Sequence, residues 1–71
     1  MRIELNGETR EVPDELSLAQ LIEDLKLTPE RLAIELNRNV VRRTEWAQTM
    51  LREGDHIEIV HFVGGGFSFR A

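Results

Sequence analysis

The chain has 71 residues, of which 41% are hydrophobic and 31% charged, and its net charge is −4. This is the size of one small domain with one core, and the composition is that of a folded globular protein, not a disordered or fibrous one. The lack of cysteine excludes disulfides, thiol nucleophiles and thiolate metal sites, and the acidic balance opposes non-specific attraction to nucleic-acid phosphates.

The opening MRIELNGETR alternates apolar and polar residues, with neither the apolar core of a signal peptide nor the length of a membrane span. It predicts a cytoplasmic protein without a membrane partner. Ile3 and Leu5 fall on one face of an extended segment, and Asn6-Gly7 offers the positive-φ geometry of a tight hairpin. The returning strand has only Val12 as a clear inward residue before Pro13 and Asp14 break the ladder.

The period then changes. Leu18, Leu21, Ile22 and Leu25 recur at i, i+3, i+4 and i+7, one stripe of a helix of about eleven residues. Ser17 and Gln20 form a capping-box pair, and Leu16 can staple against Leu21. Thr28-Pro29 is expected to stop this helix and open a short turn.

Alternation returns in LAIELN, with Leu32, Ile34 and Leu36 on one face. The NRN at 37–39 turns into a short strand at Val40 and Val41. RRTEWAQTMLREGD is expected to be irregular, with Trp46 a lid over a core edge. From His56 to Val63 runs the longest and most β-prone segment, rich in Ile and Val. Hairpin, helix, hairpin, connector and strand describe an α+β roll in which a mixed sheet of four to five strands wraps one main helix, with the last strand central beside the first. This is the β-grasp, ubiquitin-like plan.

Three consecutive glycines follow this strand. Gly64, Gly65 and Gly66 give backbone without side chains, free in φ and ψ, a composition suited to reaching into a narrow channel rather than to a turn. The bland alternative is a linker. His56 and His61 lie five apart on one strand and so on opposite faces, which argues against a shared metal. Val60 and Phe62 take the register opposite to Ile57 and Ile59, either as a second core contact or as an apolar docking patch. Glu23, Asp24, Glu30 and Glu35 have no convergent nucleophile and read as solvated faces. Arg38, Arg42 and Arg43 have no interleaved aromatics and the net charge is negative, so they read as a solvated hairpin or an acidic-partner contact rather than a phosphate site. No catalytic or metal-ligating set emerges.

The segments NGE, ELNRNVVRRTEWAQ and GDHIEIVHFVGGG, with the length up to Gly66, resemble the ThiS family, the ubiquitin-like sulfur carriers of thiamine biosynthesis. The likeness covers residues 1–66. It implies a β-grasp domain over 1–63, a flexible glycine tail over 64–66 and a C-terminal extension over 67–71. It further implies a co-substrate rather than an enzyme. Gly66 would be the covalent site, adenylated by a ThiF-like enzyme that consumes ATP, with no cofactor bound to the carrier itself. A cysteine desulfurase system would supply the sulfur, and the resulting thiocarboxylate would serve a ThiG-like thiazole synthase. Gly64 and Gly65 would form the permissive tail, and Val60, Phe62 and Val63 the docking surface.

FSFRA departs from this pattern, because Gly66 is held in an amide to Phe67 and has no free carboxylate to activate. A processing protease that trims after Gly66, an appended tail foreign to the protein, and a copy that has lost the function are the three readings. Phe67 and Phe69 favour a native precursor. Three other functions fit the fold: a ubiquitin-like protein modifier, the small subunit of molybdopterin synthase, and a pure interaction module. Lys26, the lone lysine, argues against chain building, the short length and VHFVGGG ending argue against molybdopterin synthase, and an interaction module leaves the triple glycine without purpose.

Overall fold

A computed structural model describes residues 1–63 and 67–70. Strands β1 (Arg2–Leu5) and β2 (Glu8–Glu11) form the predicted antiparallel hairpin, with Leu5 opposite Glu8. Its turn has φ of 49° at Asn6 and 84° at Gly7, the doubly left-handed geometry whose twist matches that of tightly paired strands. Ile3 and Leu5 are buried, while all of β2 is exposed. Val12 lies just past β2 and packs partly buried against the core.

Helix α1 (Leu18–Asp24) starts as its sequence dictates. The Ser17 hydroxyl accepts from the Gln20 amide at 3.1 Å, and the Gln20 side-chain oxygen accepts from the Ser17 amide at 3.0 Å. Leu16 and Leu21, the expected staple pair, are both buried in the core. The helix is seven residues long, shorter than the expected eleven or so, and Pro29 is not what ends it. Lys26 adopts φ of 58°, and the amides of Lys26 and Leu27 donate back to Glu23 and Ile22 at 3.0 and 3.2 Å. That pair of bonds is a Schellman closure, built on a lysine where glycine is the easier residue. Pro29 instead opens a 3-10 turn over Pro29–Arg31.

Strands β3 (Leu32–Leu36) and β4 (Asn39–Val41) form the second hairpin around left-handed Asn37 and Arg38, with φ of 51° and 73°. The connector after β4 departs from expectation. It contains a 3-10 helix over Arg43–Gln48, and Trp46 is a member of the core, 3% exposed, rather than a lid on its edge. The physical reason is that the indole finds a polar partner inside: its Nε1 donates to the Val41 carbonyl at 2.9 Å, so burying the ring strands no N–H. Backbone bonds from Leu18 to Thr49 at 2.9 Å and from Leu51 to Leu16 at 2.8 Å then tie the connector to the start of α1.

Strand β5 (His56–Val63) has the predicted extent and place. The sheet runs β2-β1-β5-β3-β4, with β5 parallel to β1 and antiparallel to β3. Ile57 and Ile59, with Ile3, Ile34, Leu18 and Ile22, form the fully buried centre between sheet and helix. An additional strand, β6 (Phe67–Arg70), comes from the residues expected as an extension. It pairs antiparallel with β5, Phe67 opposite Val63 and Arg70 opposite Val60. Among the described residues no helix is long and apolar enough to cross a membrane.

Candidate functional site

The carboxyl end of β5 is the part of the fold that leads to the glycines, and two asparagines fix its course. Asn6 at the β1–β2 turn reaches Ile59: the Ile59 amide donates to Asn6 Oδ1 at 2.7 Å and Asn6 Nδ2 donates to the Ile59 carbonyl at 3.3 Å. Asn37 at the β3–β4 turn does the same for the start of the strand. The His56 amide donates to its Oδ1 at 2.9 Å, its own amide donates to the His56 carbonyl at 2.7 Å, and its Nδ2 reaches Asp55 Oδ1 at 3.1 Å. Both residues sit at positive φ, which asparagine tolerates better than most side chains, and both spend their amide on β5. The strand is thus held from both neighbouring hairpins.

The sheet face turned away from α1 carries the second half of the site. Phe62 is 44% exposed there, Val60 is half-buried and pairs across to Ala33, and Val40 is 73% exposed opposite Glu35. Beside these apolar groups Glu35 and Glu58 lie directly opposite each other on β3 and β5, a cross-strand arrangement of like charges that lowers stability. His56 Nδ1 lies 3.2 Å from Glu4 Oε2, and Glu35, Asn37, Arg38, His56 and Glu58 line one open hollow. The face is therefore apolar towards the end of β5 and mostly acidic towards its beginning. On the hairpin edge, a hydrogen bond to Glu11 and then its charge hold the Arg2 guanidinium above its ordinary pKa; the pair is solvated and adds little.

His56 faces outward and His61 inward on β5, as the strand period requires, so the two do not converge. Among the described residues no three His, Asp or Glu side chains gather as a metal site. Glu23, Asp24, Glu30, Glu35, Arg38, Arg42 and Arg43 are all exposed. The expectations placed on Gly64, Gly65 and Gly66 lie outside the described residues, as does the Val63 side chain. The asparagine brackets escape sequence reasoning: Asn6-Gly7 signals a turn, but nothing local signals that Asn6 meets a residue 53 positions away.

Among the described residues, one α-helix held in a mixed sheet whose central strand, β5, runs parallel to β1 defines the ubiquitin-like β-grasp class. Within that class, the chain belongs to the ThiS family, whose family model matches residues 3–66. A thiazole synthase of Magnetococcus marinus is 42% identical over 66 residues, covering 93% of this chain and 20% of the relative. The chain thus spans about a fifth of that protein's length. The sulfur carrier protein ThiS of Bacillus subtilis is 31% identical over 65 residues, 90% of this chain and 98% of that protein. A crystal structure of the thiamine biosynthesis protein ThiS from Geobacter metallireducens superposes with a TM-score of 0.82 at 32% identity, covering 93% of this chain and all of the other.

Proposed function

We propose that the chain is a sulfur carrier for the thiazole of thiamine, with Gly66 as the residue that bears the sulfur. The observation that carries this reading is the end of the family match: it runs through the whole β-grasp body and stops at residue 66, the last of three glycines after the central strand.

The chemistry follows from what a glycine carboxylate lacks. It is a poor electrophile, because its charge is delocalised and its leaving group would be oxide, so it has to become a mixed anhydride before sulfur attacks. A ThiF-like enzyme does this with ATP, releasing pyrophosphate. A cysteine desulfurase system supplies sulfur as a persulfide, whose attack displaces AMP and leaves an acyl disulfide. A thiol reductant cleaves that S–S bond to release the terminal thiocarboxylate that serves a thiazole synthase. The carrier performs none of these steps itself; it is a co-substrate, and ATP is consumed on the partner. The synthase as discharge partner is supported by the M. marinus relative named thiazole synthase, in which a segment like this chain is part of a longer polypeptide.

The body's task is to dock while the tail reaches. Five extended residues from Phe62 to Gly66 span roughly 17 Å, enough to pass from a docked surface to a buried reaction centre. Val60, Phe62 and Val63 are the proposed docking residues. Exposed Phe62 supplies the kind of aromatic anchor that dominates protein interfaces, and the hollow nearer the start of β5, lined by Glu35, Asn37, Arg38, His56 and Glu58, supplies charged groups that fix orientation.

The test is the intact mass of the protein isolated from its own cells grown without thiamine. The reading expects a chain ending at Gly66, part of it with one oxygen replaced by sulfur. A chain that keeps residues 67–71 while thiazole synthesis proceeds would sink it, and isopeptide adducts on other proteins would move the function to a modifier.

A further inference from the structure

On the helix side of the sheet, α1 and the 3-10 helix over Arg43–Gln48 leave between them a cleft of about 540 Å³. Ile22, Leu27 and Trp46 give it an apolar lining, and Lys26, Arg43 and Glu23 supply its charges. Ile22 and Trp46 belong to the buried core, so the floor is held in place by packing, while the three charged residues are exposed. An apolar concavity of this size with a few charged groups is the usual form of a small-molecule site. The cleft shares no residue with the hollow beside β5, and what it binds does not depend on the carrier reading.

The charge of the cleft runs against that of the chain. The net charge is −4, yet two cations and one carboxylate line this place. Among the described residues, neither Lys26 nor Arg43 takes part in an ion pair, and Lys26 does not pair even with Glu23 three residues before it. Lys26 is also the left-handed residue that closes α1, with φ of 58°. Glycine is easier there, and strained positions persist where the side chain has a use. The helix dipole favours a cation at this end, but a basic residue in the last turn at ordinary φ would serve it equally, and α1 has none.

We propose that this cleft binds an amphipathic carboxylate, its apolar chain against Ile22, Leu27 and Trp46 and its charged head at Lys26 and Arg43. Withdrawal of the chain from water drives binding, and the two cations select the sign of the head. The planar fork of arginine matches a carboxylate, and lysine adds a point charge. Glu23 repels a second negative charge, which favours a monocarboxylate over a phosphate monoester.

Trp46 reports on the cleft directly, because it is the chain's one tryptophan and no tyrosine accompanies it. The full chain is titrated at constant ionic strength with octanoate and, as the cation of equal chain length, octylammonium. Octanoate should change Trp46 emission with a dissociation constant of about 1–10 mM, as expected for so small a ligand. Octylammonium should bind at least about fivefold more weakly, although the net charge of the chain attracts it. Lys26→Gly relieves the strained φ, so a loss of binding in this variant is not a failure to fold. Lys26→Gly and Arg43→Gln should each weaken octanoate about threefold and together about tenfold, whereas Glu23→Gln should tighten it about twofold. In the same titration the amide chemical shifts of Ala19, Leu27 and Ala47, which line the cleft, should move while those of Val40 and Phe62 stay in place. Four results overturn the proposal: no Trp46 response by about 30 mM octanoate, octylammonium binding as tightly, a double variant within about twofold of wild type, or shifts centred on Phe62.

Discussion

The Asn6 bracket is the contact on which the course of β5 most depends, and three substitutions separate its parts. In Asn6→Gly the left-handed turn is kept, since glycine accepts φ of 49° without strain, but the Ile59 amide loses its acceptor. Ile59 is 1% exposed, so that N–H is stranded away from water, at a cost of about 1–3 kcal/mol. Asn6→Ala makes the same loss but, unlike glycine, keeps a Cβ in the left-handed region without the local polar contacts of asparagine, which places it about 1–2 kcal/mol below Asn6→Gly. Asn6→Asp keeps an oxygen for the short 2.7 Å bond and loses the donor of the 3.3 Å one, which predicts a loss of about 1 kcal/mol.

The expected order of stability is therefore wild type, Asp, Gly, Ala. Urea unfolding followed by circular dichroism reads it directly. With a slope of about 1 kcal/mol per molar for so small a domain, a loss of about 2 kcal/mol moves the midpoint by roughly 2 M. An Asn6→Gly midpoint within about 0.5 M of wild type would mean that water replaces the side chain at Ile59, and the bracket would then contribute little. An Asn6→Ala protein as stable as Asn6→Gly would refute the assigned backbone strain.

Three further outcomes are expected. Lys26→Gly should raise stability by about 0.5–1 kcal/mol, because it relieves φ of 58° in the Schellman closure of α1; thermal unfolding checks this, and a decrease would show that the lysine side chain earns its place by packing. Ser17→Ala should cost about 1 kcal/mol by opening the capping box, measured by the same method, with no change in partner binding. Phe62→Ala should leave stability within about 0.5 kcal/mol of wild type, as befits an exposed side chain, yet weaken binding to a ThiF-like enzyme, the activating partner proposed above, about tenfold or more in a titration calorimeter; unchanged affinity would remove Phe62 from the proposed docking surface.

The sequence reveals those parts of the fold whose causes are local. The Asn6-Gly7 turn, the Ser17–Gln20 cap and the alternation of β5 each act within a few residues, and each appears where the pattern places it. Long-range causes are less visible. The length of α1 is set at Lys26, a residue with no turn propensity to announce it, because Leu27 is drawn back to Ile22 on the apolar side of the helix. Trp46 reads as peripheral until Val41 is seen to accept its N–H. β6 is hidden for a further reason: a pairing strand needs an unfilled edge, and whether β5 has one depends on where β1 stops.

The position of the candidate site in the sheet also has a mechanical logic. A carrier tail has to leave its body from a fixed point, or the reach of a few residues is lost in the wandering of its origin. An edge strand frays and is the first to open. β5 instead runs between β1 and β3, is bracketed by Asn6 and Asn37, and buries Ile57 and Ile59 at the centre of the core. Its final residues extend past the end of β1, where β6 pairs with them. The strand that both hairpins bracket is thus the one that leads to the glycines. A tail anchored on β2 or β4, at the edges of the sheet, would lack that firm origin.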